Sequence, residues 1–360
     1  MPTSHNAQQI FEDLLSTVIK QNASDLHISV GRHPTMRIDG VLMPILQQEI
    51  ITPDMAREFV FTILTKEQQE TFAREKEMDL SYNFRDRARF RVNTFFQRGF
   101  IGAALRLIPT KIRTFEELQL PSVIETFASF TQGFLLVTGP TGHGKSTTLA
   151  ALVDYINHTR ADHIITVENP IEYLFTSDRA TIDQREVGTD TLDFHHALKS
   201  MFREDVDVGM VGEMRDVETV STAVTAAETG HLILSTVHTN NAAQTIDRIV
   251  DIFESGQQNQ IRSQIASTLI GIVSQRLIPR INGGLVPAVE VMMANTAVRN
   301  LIRENKTHEL NMVIETSSEQ GMISLNHSLV DLIRRGEISM ENALLYSTNP
   351  SEIQTIMREG

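Results

Sequence analysis

The stretch that decides the fold runs from Gly133 to Asn157, GFLLVTGPTGHGKSTTLAALVDYIN. Phe134, Leu135, Leu136 and Val137 form an unbroken apolar run, the pattern of a short strand buried on both faces. Gly139-Pro140-Thr141-Gly142-His143-Gly144-Lys145-Ser146 then matches G-x-x-x-x-G-K-[ST] in full, with Thr147 following. Behind it Leu149, Leu152, Val153 and Ile156 recur at helical spacing. Strand, glycine loop and helix thus stand in the order a nucleotide phosphate requires. Glycines let backbone N–H groups turn inward around an anion, and the helix N-terminus adds its dipole. On this reading Lys145 reaches the β- and γ-phosphates of ATP and Ser146 holds Mg²⁺.

A chain of 360 residues favours two domains over one. Its 41% hydrophobic content suffices for real cores, and its formal charge of -13 argues against a general nucleic-acid or anionic-membrane binder. The absence of cysteine excludes disulfides, thiol catalysis and cysteine-based zinc sites. The N-terminus MPTSHNAQQIFEDLL is too polar for a signal peptide, and no apolar run approaches membrane-spanning length. The expectation is a cytoplasmic protein with no transmembrane segment.

Before the glycine loop, Ile10, Phe11, Leu14, Leu15, Val18 and Ile19 make one helical face. Leu26, Ile28 and Val30 alternate as in a half-buried strand. Met36 and Ile38, Asp39-Gly40, then Val41 and Met43 read as a hairpin on a two-residue turn. Thr52-Pro53 signals a helix start. Alternation returns at Met78–Phe84, at Arg89–Arg98, where Phe90, Val92 and Phe96 face a core and Arg89 and Arg91 face away, and at Ala103–Ile108. Residues 1–112 therefore read as a small, mainly antiparallel α+β domain. Pro109–Arg113 is polar and proline-led, so the linker covers 113–122, with a helix around Glu116–Glu117 and a break at Pro121. From residue 123 to 360 apolar strands alternate with helices: Ile164–Val167, a helix over Leu192–Phe202, Val208–Val211, a helix over Val217–Thr229, Leu232–Val237, a helix from Ala242. That alternation predicts a parallel, doubly wound α/β sheet. After Met293 short helices remain, broken near Gly321, Gly336 and Pro350.

Ligands of an open α/β sheet collect at the carboxyl ends of its strands. Glu168 follows Ile164–Val167 at such an end, where a carboxylate can take a proton from the water attacking a γ-phosphate. Val208–Val211 delivers Gly212-Glu213-Met214-Arg215-Asp216, whose acid Glu213 is suited to a Mg²⁺ shell through water. His231 and His238 flank the strand Leu232–Val237 and are suited either to sensing a γ-phosphate or to capping. His195-His196 are adjacent and point apart on a helix, unlike a metal-binding i,i+4 pair.

Taken together, GPTGHGKSTTLAA, ENPIEY, GEMRD, TAAETGHLILSTVHT and AVRNLIRE resemble the secretion-superfamily AAA-like ATPases, and more narrowly the type IV pilus retraction ATPases. The likeness extends to SDLHISVGRHPTMRIDG and RFRVNTFFQR near the N-terminus. It implies a PAS-like first domain, a RecA-like P-loop NTPase second domain, and a homo-hexameric ring that binds ATP between the two domains. It implies that Gly139–Thr147 is the Walker A loop, Glu168 the catalytic acid, Glu213 the atypical Walker B acid, and His231 and His238 the His box. Arg91, Arg98 and Arg106, with Arg89, match arginines such enzymes use to reach nucleotide. The implied partners are an inner-membrane pilus platform protein and a paralogous retraction ATPase, and the implied location is peripheral to the inner membrane at the pilus base.

Four departures stand out against that pattern. Asn169 replaces an acid after Glu168, His143 takes a position usually held by Ser or Thr, Val206-Asp207-Val208-Gly209 replaces a proline-led approach to GEMRD, and Val298 stands for Ile. The tail, with SSEQGMISLNHSL and ENALLYSTNPSEI, leans toward the accessory PilU type, whereas GPTG and GEMRD lean toward the PilT type. The expected function is a motor that hydrolyses ATP to power pilus retraction and twitching motility. The alternatives are an accessory PilU-type paralogue, a non-hydrolysing regulatory ring subunit, and a pilus-assembly or type II secretion ATPase. The last usually carries a four-cysteine zinc module, which this chain lacks.

Overall fold

The computed structural model describes residues 4–359 except Asp39 and Asp86. The chain divides into two compact units, Met1–Thr110 with Glu172–Leu174, and Lys111–Ile171 with Phe175–Gly360.

The first unit runs α1 (Ser4–Lys20), β1 (Asp25–Ile28), β2 (Thr35–Ile38), β3 (Val41–Pro44), α2 (Pro53–Ile63), α3 (Lys66–Glu75), β4 (Glu77–Phe84), β5 (Ala88–Gln97) and β6 (Phe100–Ile108). Its helices begin where their capping chemistry says. Thr52 accepts the Met55 N–H with Pro53 in the first turn, and Thr65 with Gln68 forms a reciprocal capping box. The strands form one six-stranded antiparallel sheet in the order β3-β2-β1-β6-β5-β4. Phe90, Val92 and Thr94 point into a core shared with Phe11, Leu14 and Phe59, so the alternation read along β5 is the alternation observed. The β2–β3 hairpin forms as expected, with Ile38 opposite Val41, although Asp39 of its turn lies outside the described residues. Val41, Leu42 and Met43 are exposed on that edge strand.

The second unit runs β7 (Gly133–Thr138), α4 (Lys145–Thr159), β8 (His163–Glu168), β9 (Thr181–Glu186), α5 (Phe194–Met201), β10 (Val208–Val211), α6 (Val217–Glu228), β11 (Leu232–Val237), α7 (Ala242–Asp251), α8 (Ser255–Thr268), β12 (Leu269–Pro279), β13 (Leu285–Met293), α9 (Thr296–Arg303), α10 (Leu310–Thr316), α11 (Leu325–Arg334), α12 (Met340–Tyr346) and α13 (Pro350–Glu359). The sheet order is β13-β12-β7-β11-β10-β8-β9. All neighbours pair in parallel except β12 and β13, so the expected parallel sheet forms and carries one antiparallel edge strand. β7 and β11 are buried along their whole length, as strands covered on both faces must be. One face packs against α5 to α9 and the other against α4 and the segment before β7.

One expectation changes. Around Glu116–Glu117 the chain makes a single turn, in which Thr114 and Glu117 exchange hydrogen bonds, and the helical segment is a 3-10 helix at Ser122–Ser129. The expected break near Pro350 separates α12 from α13, with Pro350 the first residue of α13. Behind β12 and β13, Ile278, Val286 and Ala288 bury against Leu329, Val330 and Ile353 of α11 and α13.

Candidate functional site

Because β7, β11, β10 and β8 are parallel neighbours, their carboxyl ends share one edge. Thr138 lies opposite Val237, and Val211 lies opposite both Ser235 and Val167. The glycine loop, His238, Glu213 and Glu168 therefore emerge together, as sequence position predicted.

The loop is moulded against β12. At Gly139, with φ of +147°, an added Cβ would lie 2.3 Å from the Gln275 carbonyl oxygen; at Gly144, with φ of +82°, it would lie 2.7 Å from Gln275 Nε2. Only glycine gives both the conformation and the space. Gly144 is the N-cap of α4, so the positive end of that helix's dipole lies at the end of the loop. Ser146 and Thr147, in the first turn, are half-buried.

Lys145 is 7% exposed, and its ammonium donates to the carbonyls of Gly139 and Pro140, both at 3.0 Å. Its Nζ also lies 3.3 Å from His238 Nδ1, with Thr141 Oγ1 3.5 Å from the same nitrogen. An ammonium only donates, so Nδ1 accepts and the imidazole proton sits on Nε2. That nitrogen is 3.5 Å from Glu213 Oε2, which also takes Arg215 Nε at 2.8 Å. Lys145, His238, Glu213 and Arg215 thus form one string of alternating donors and acceptors. Glu168 stands further along the edge. Three strand spacings separate β8 from β7, about 14 Å, against two, about 10 Å, for β10. Glu168 is 6% exposed and accepts from Thr166 Oγ1 at 2.8 Å and Gln184 Nε2 at 3.3 Å.

His143 is tied to β12 rather than left free. Its Nδ1 accepts the Leu277 N–H at 2.9 Å, which requires an unprotonated nitrogen. Burial, with Arg276 and Lys145 nearby, pushes its pKa below the usual histidine value. Beside the loop opens a cavity of about 580 Å³, lined among others by Gly144, Thr148, Gln275, Leu277, Arg113 and Arg280. Among the described residues no group of three or more His, Asp or Glu is arranged to hold a metal ion.

Of the remaining candidates, His231 sits, as its place before Leu232 implied, at the end of β11 opposite His238, where Nδ1 lies 2.9 Å from the Ala226 carbonyl and the ring meets Phe202 edge-on. A six-residue strand puts it about 20 Å from His238, so the capping alternative describes its surroundings. Arg98 is not on a strand but in the two-residue β5–β6 turn with Gly99, both at positive φ. Arg106 pairs with Asp25 at 2.9 Å. Burial pushes the Asp25 carboxyl up, but hydrogen bonds from Ser24 and Arg106 outweigh it and hold it below its usual value. Arg91 lies directly opposite Arg106 in the sheet, a like-charge pair that does not favour folding. Gln275 and Leu277 were missed, because nothing local in LIGIVSQRLIP links them to a loop more than a hundred residues upstream.

The profile of the type II/IV secretion system protein family matches residues 4–328. The chain belongs to that family. Among relatives, it is 44% identical over 335 residues to the type IV pilus retraction ATPase PilT of Pseudomonas aeruginosa, covering 92% of this chain and 96% of that one. It is 38% identical over 351 residues to the type IV pilus ATPase PilU of the same organism, covering 97% and 92%. Its fold superposes on the crystal structure of the pilus retraction motor PilT with bound ADP at a TM-score of 0.88 and 43% identity, covering 96% of this chain and 98% of that one. Secretion-family membership accounts for the α/β unit with a mixed sheet preceded by a small antiparallel one.

Proposed function

We propose that this chain is an ATP-hydrolysing motor that powers type IV pilus retraction, working as a homo-hexamer on the cytoplasmic side of the inner membrane against a pilus platform protein. The observation that carries the reading is Lys145, held on the loop's own carbonyls within reach of His238 and, through it, Glu213. The end-to-end likeness to a retraction ATPase supports the direction of the work.

The residues suit nucleotide and Mg²⁺. The cradle has no room for a Cβ at Gly139 or Gly144, and the donor set is one hydroxyl, Ser146, with one acid, Glu213, which leaves the rest of a magnesium shell to water and phosphate. Bound Mg²⁺ would supply neutralisation of charge on the β- and γ-oxygens. Lys145 exchanges its carbonyl partners for phosphate oxygens, and His238, released from Lys145, is free to report occupancy to Glu213. Glu168 takes the proton of the attacking water, its orientation fixed by Thr166. The cavity beside Gly144 receives the base and ribose. The test is Lys145→Ala, which should lose phosphate release while circular dichroism and melting stay unchanged. Unchanged phosphate release from that folded variant overturns the reading.

A second reading, the accessory PilU-type paralogue, is favoured by the tail motifs and by a likeness to PilU that covers 97% of the chain. Asn169 beside Glu168 favours a non-hydrolysing regulatory subunit, which steady-state phosphate release by the protein alone separates from a motor.

A further inference from the structure

Gln275 belongs to β12, is 3% exposed, and uses both ends of its amide on the phosphate loop. Its Oε1 accepts the Thr148 hydroxyl of α4 at 2.7 Å, and its Nε2 donates to the His143 carbonyl at 2.9 Å. The same residue's backbone carbonyl closes the space beside Gly139, and its amide closes the space beside Gly144. Two residues on, Leu277 N–H donates to the His143 ring. The loop from Gly139 to Gly144 is thus held from outside as well as by Lys145, and on the β12 side Gln275 makes the side-chain contacts while Leu277 adds a backbone N–H.

We infer that Gln275 is a positioning residue for nucleotide binding, the template on which the phosphate loop is kept in its anion-receiving shape. A backbone cradle binds phosphate well only if its N–H groups converge before the ligand arrives; otherwise ordering the loop is charged against affinity. Of the side chains that fit this buried slot, an amide alone gives one acceptor and one donor at opposite corners without charge. Glutamate supplies the acceptor but, ionised, sets a negative oxygen against the His143 carbonyl. Leucine fills the space and leaves both the carbonyl and the Thr148 hydroxyl without their partner. The amide also lines the cavity beside the loop, so a change here is felt by base and phosphate together.

This inference rests on the nucleotide reading above, and its test separates the two. Binding of ADP with Mg²⁺ is measured by titration calorimetry for the full-length wild type, Gln275→Leu and Gln275→Glu. For Gln275→Leu the Kd should rise at least tenfold, the scale of losing one buried hydrogen bond. KM for ATP should rise with it by a larger factor than kcat falls. For Gln275→Glu, the gap to wild type at matched pH should be wide at pH 8 and narrow toward pH 6, because the protonated carboxyl regains a donor for the His143 carbonyl. A merely structural role moves melting temperature without that pH signature. ADP bound by wild type and by Gln275→Leu with equal affinity overturns the role of Gln275 alone, and so does a Gln275→Glu gap that does not change with pH, which serves if Gln275→Leu fails to fold. Wild type that does not bind ADP overturns both readings.

Discussion

At the scale of single residues, the site is a matter of who is already paired. Lys145 rests on backbone carbonyls, which are weaker partners than phosphate oxygens, so nucleotide binding trades neutral acceptors for charged ones. Glu168 accepts from Thr166 and Gln184 and stands apart from the Lys145 string, a separation consistent with a group that meets water rather than phosphate. Glu168→Gln should therefore keep ADP affinity within about twofold and lose turnover by at least a hundredfold, the range of a general base; normal turnover would move the role of base to Glu213. Asn169→Asp places a second carboxylate beside the first, and adjacent carboxylates oppose each other's ionisation. The acidic limb of the pH–rate profile should move to higher pH, and a profile that stays put disconnects position 169 from the chemistry.

At the scale of elements, the strand–loop–helix unit of β7 and α4 depends on β12. Gly139 and Gly142 both lie at positive φ, yet only Gly139 has backbone against it, since nothing lies within 4 Å of a Cβ at Gly142. Gly142→Ala should cost only the left-handed conformation, about 1–2 kcal/mol, and lower the melting temperature by a few degrees. Gly139→Ala must push the loop off the Gln275 carbonyl, and ADP binding should weaken by at least ten times more than in Gly142→Ala. Parallel melts and ADP titrations decide it, and equal losses in the two variants would show that β12 does not shape the loop.

At the scale of the molecule, the second unit buries a carboxyl group. Glu290 of β13 accepts the Ala242 N–H at 2.8 Å and the Ser274 hydroxyl at 3.3 Å, and Thr138, the last residue of β7, donates to Ser274 at 3.1 Å. Burial pushes the Glu290 pKa up against these hydrogen bonds and the charge of Arg276, and Glu315, which with Glu290 lines a second, separate cavity, is raised by burial and by Glu352. A carboxyl whose folded pKa lies above its unfolded value of 4.5 contributes its full stability below that value and loses it as pH rises through the folded pKa. Melting temperatures of wild type and Glu290→Gln should therefore diverge in favour of the variant as pH rises above about 4.5; a constant difference from pH 4 to 8 refutes the linkage. In the first unit the like-charge Arg91–Arg106 pair and the positive φ of Arg98 are features that stability alone does not favour. At least one of Arg91→Ala, Arg98→Ala and Arg106→Ala should cut turnover by about a hundredfold, short of the full range of an arginine finger. Three variants with wild-type turnover would leave these arginines as surface charge.

What the sequence determined by itself was everything carried by local pattern. Mainly apolar runs marked β7, β8, β10 and β11 because a strand covered on both faces keeps a polar side chain only with a hydrogen-bond partner, as Thr166 and Ser235 have, and the glycine motif marked the loop between strand and helix. The positions of Glu168, Glu213 and His238 were legible for the same reason: each closes such a strand or follows within two residues of its end. Tertiary structure alone decided the rest. It alone paired β12 in parallel with β7, since LIGIVSQRLIP follows α8 without a turn residue and nothing in its composition states its neighbour. It also decided that β13 runs antiparallel to β12 and that Gln275 and Leu277 lie against the loop. Each of these is a contact between segments distant in the chain, fixed by how the sheet packs rather than by the spacing of residues along it.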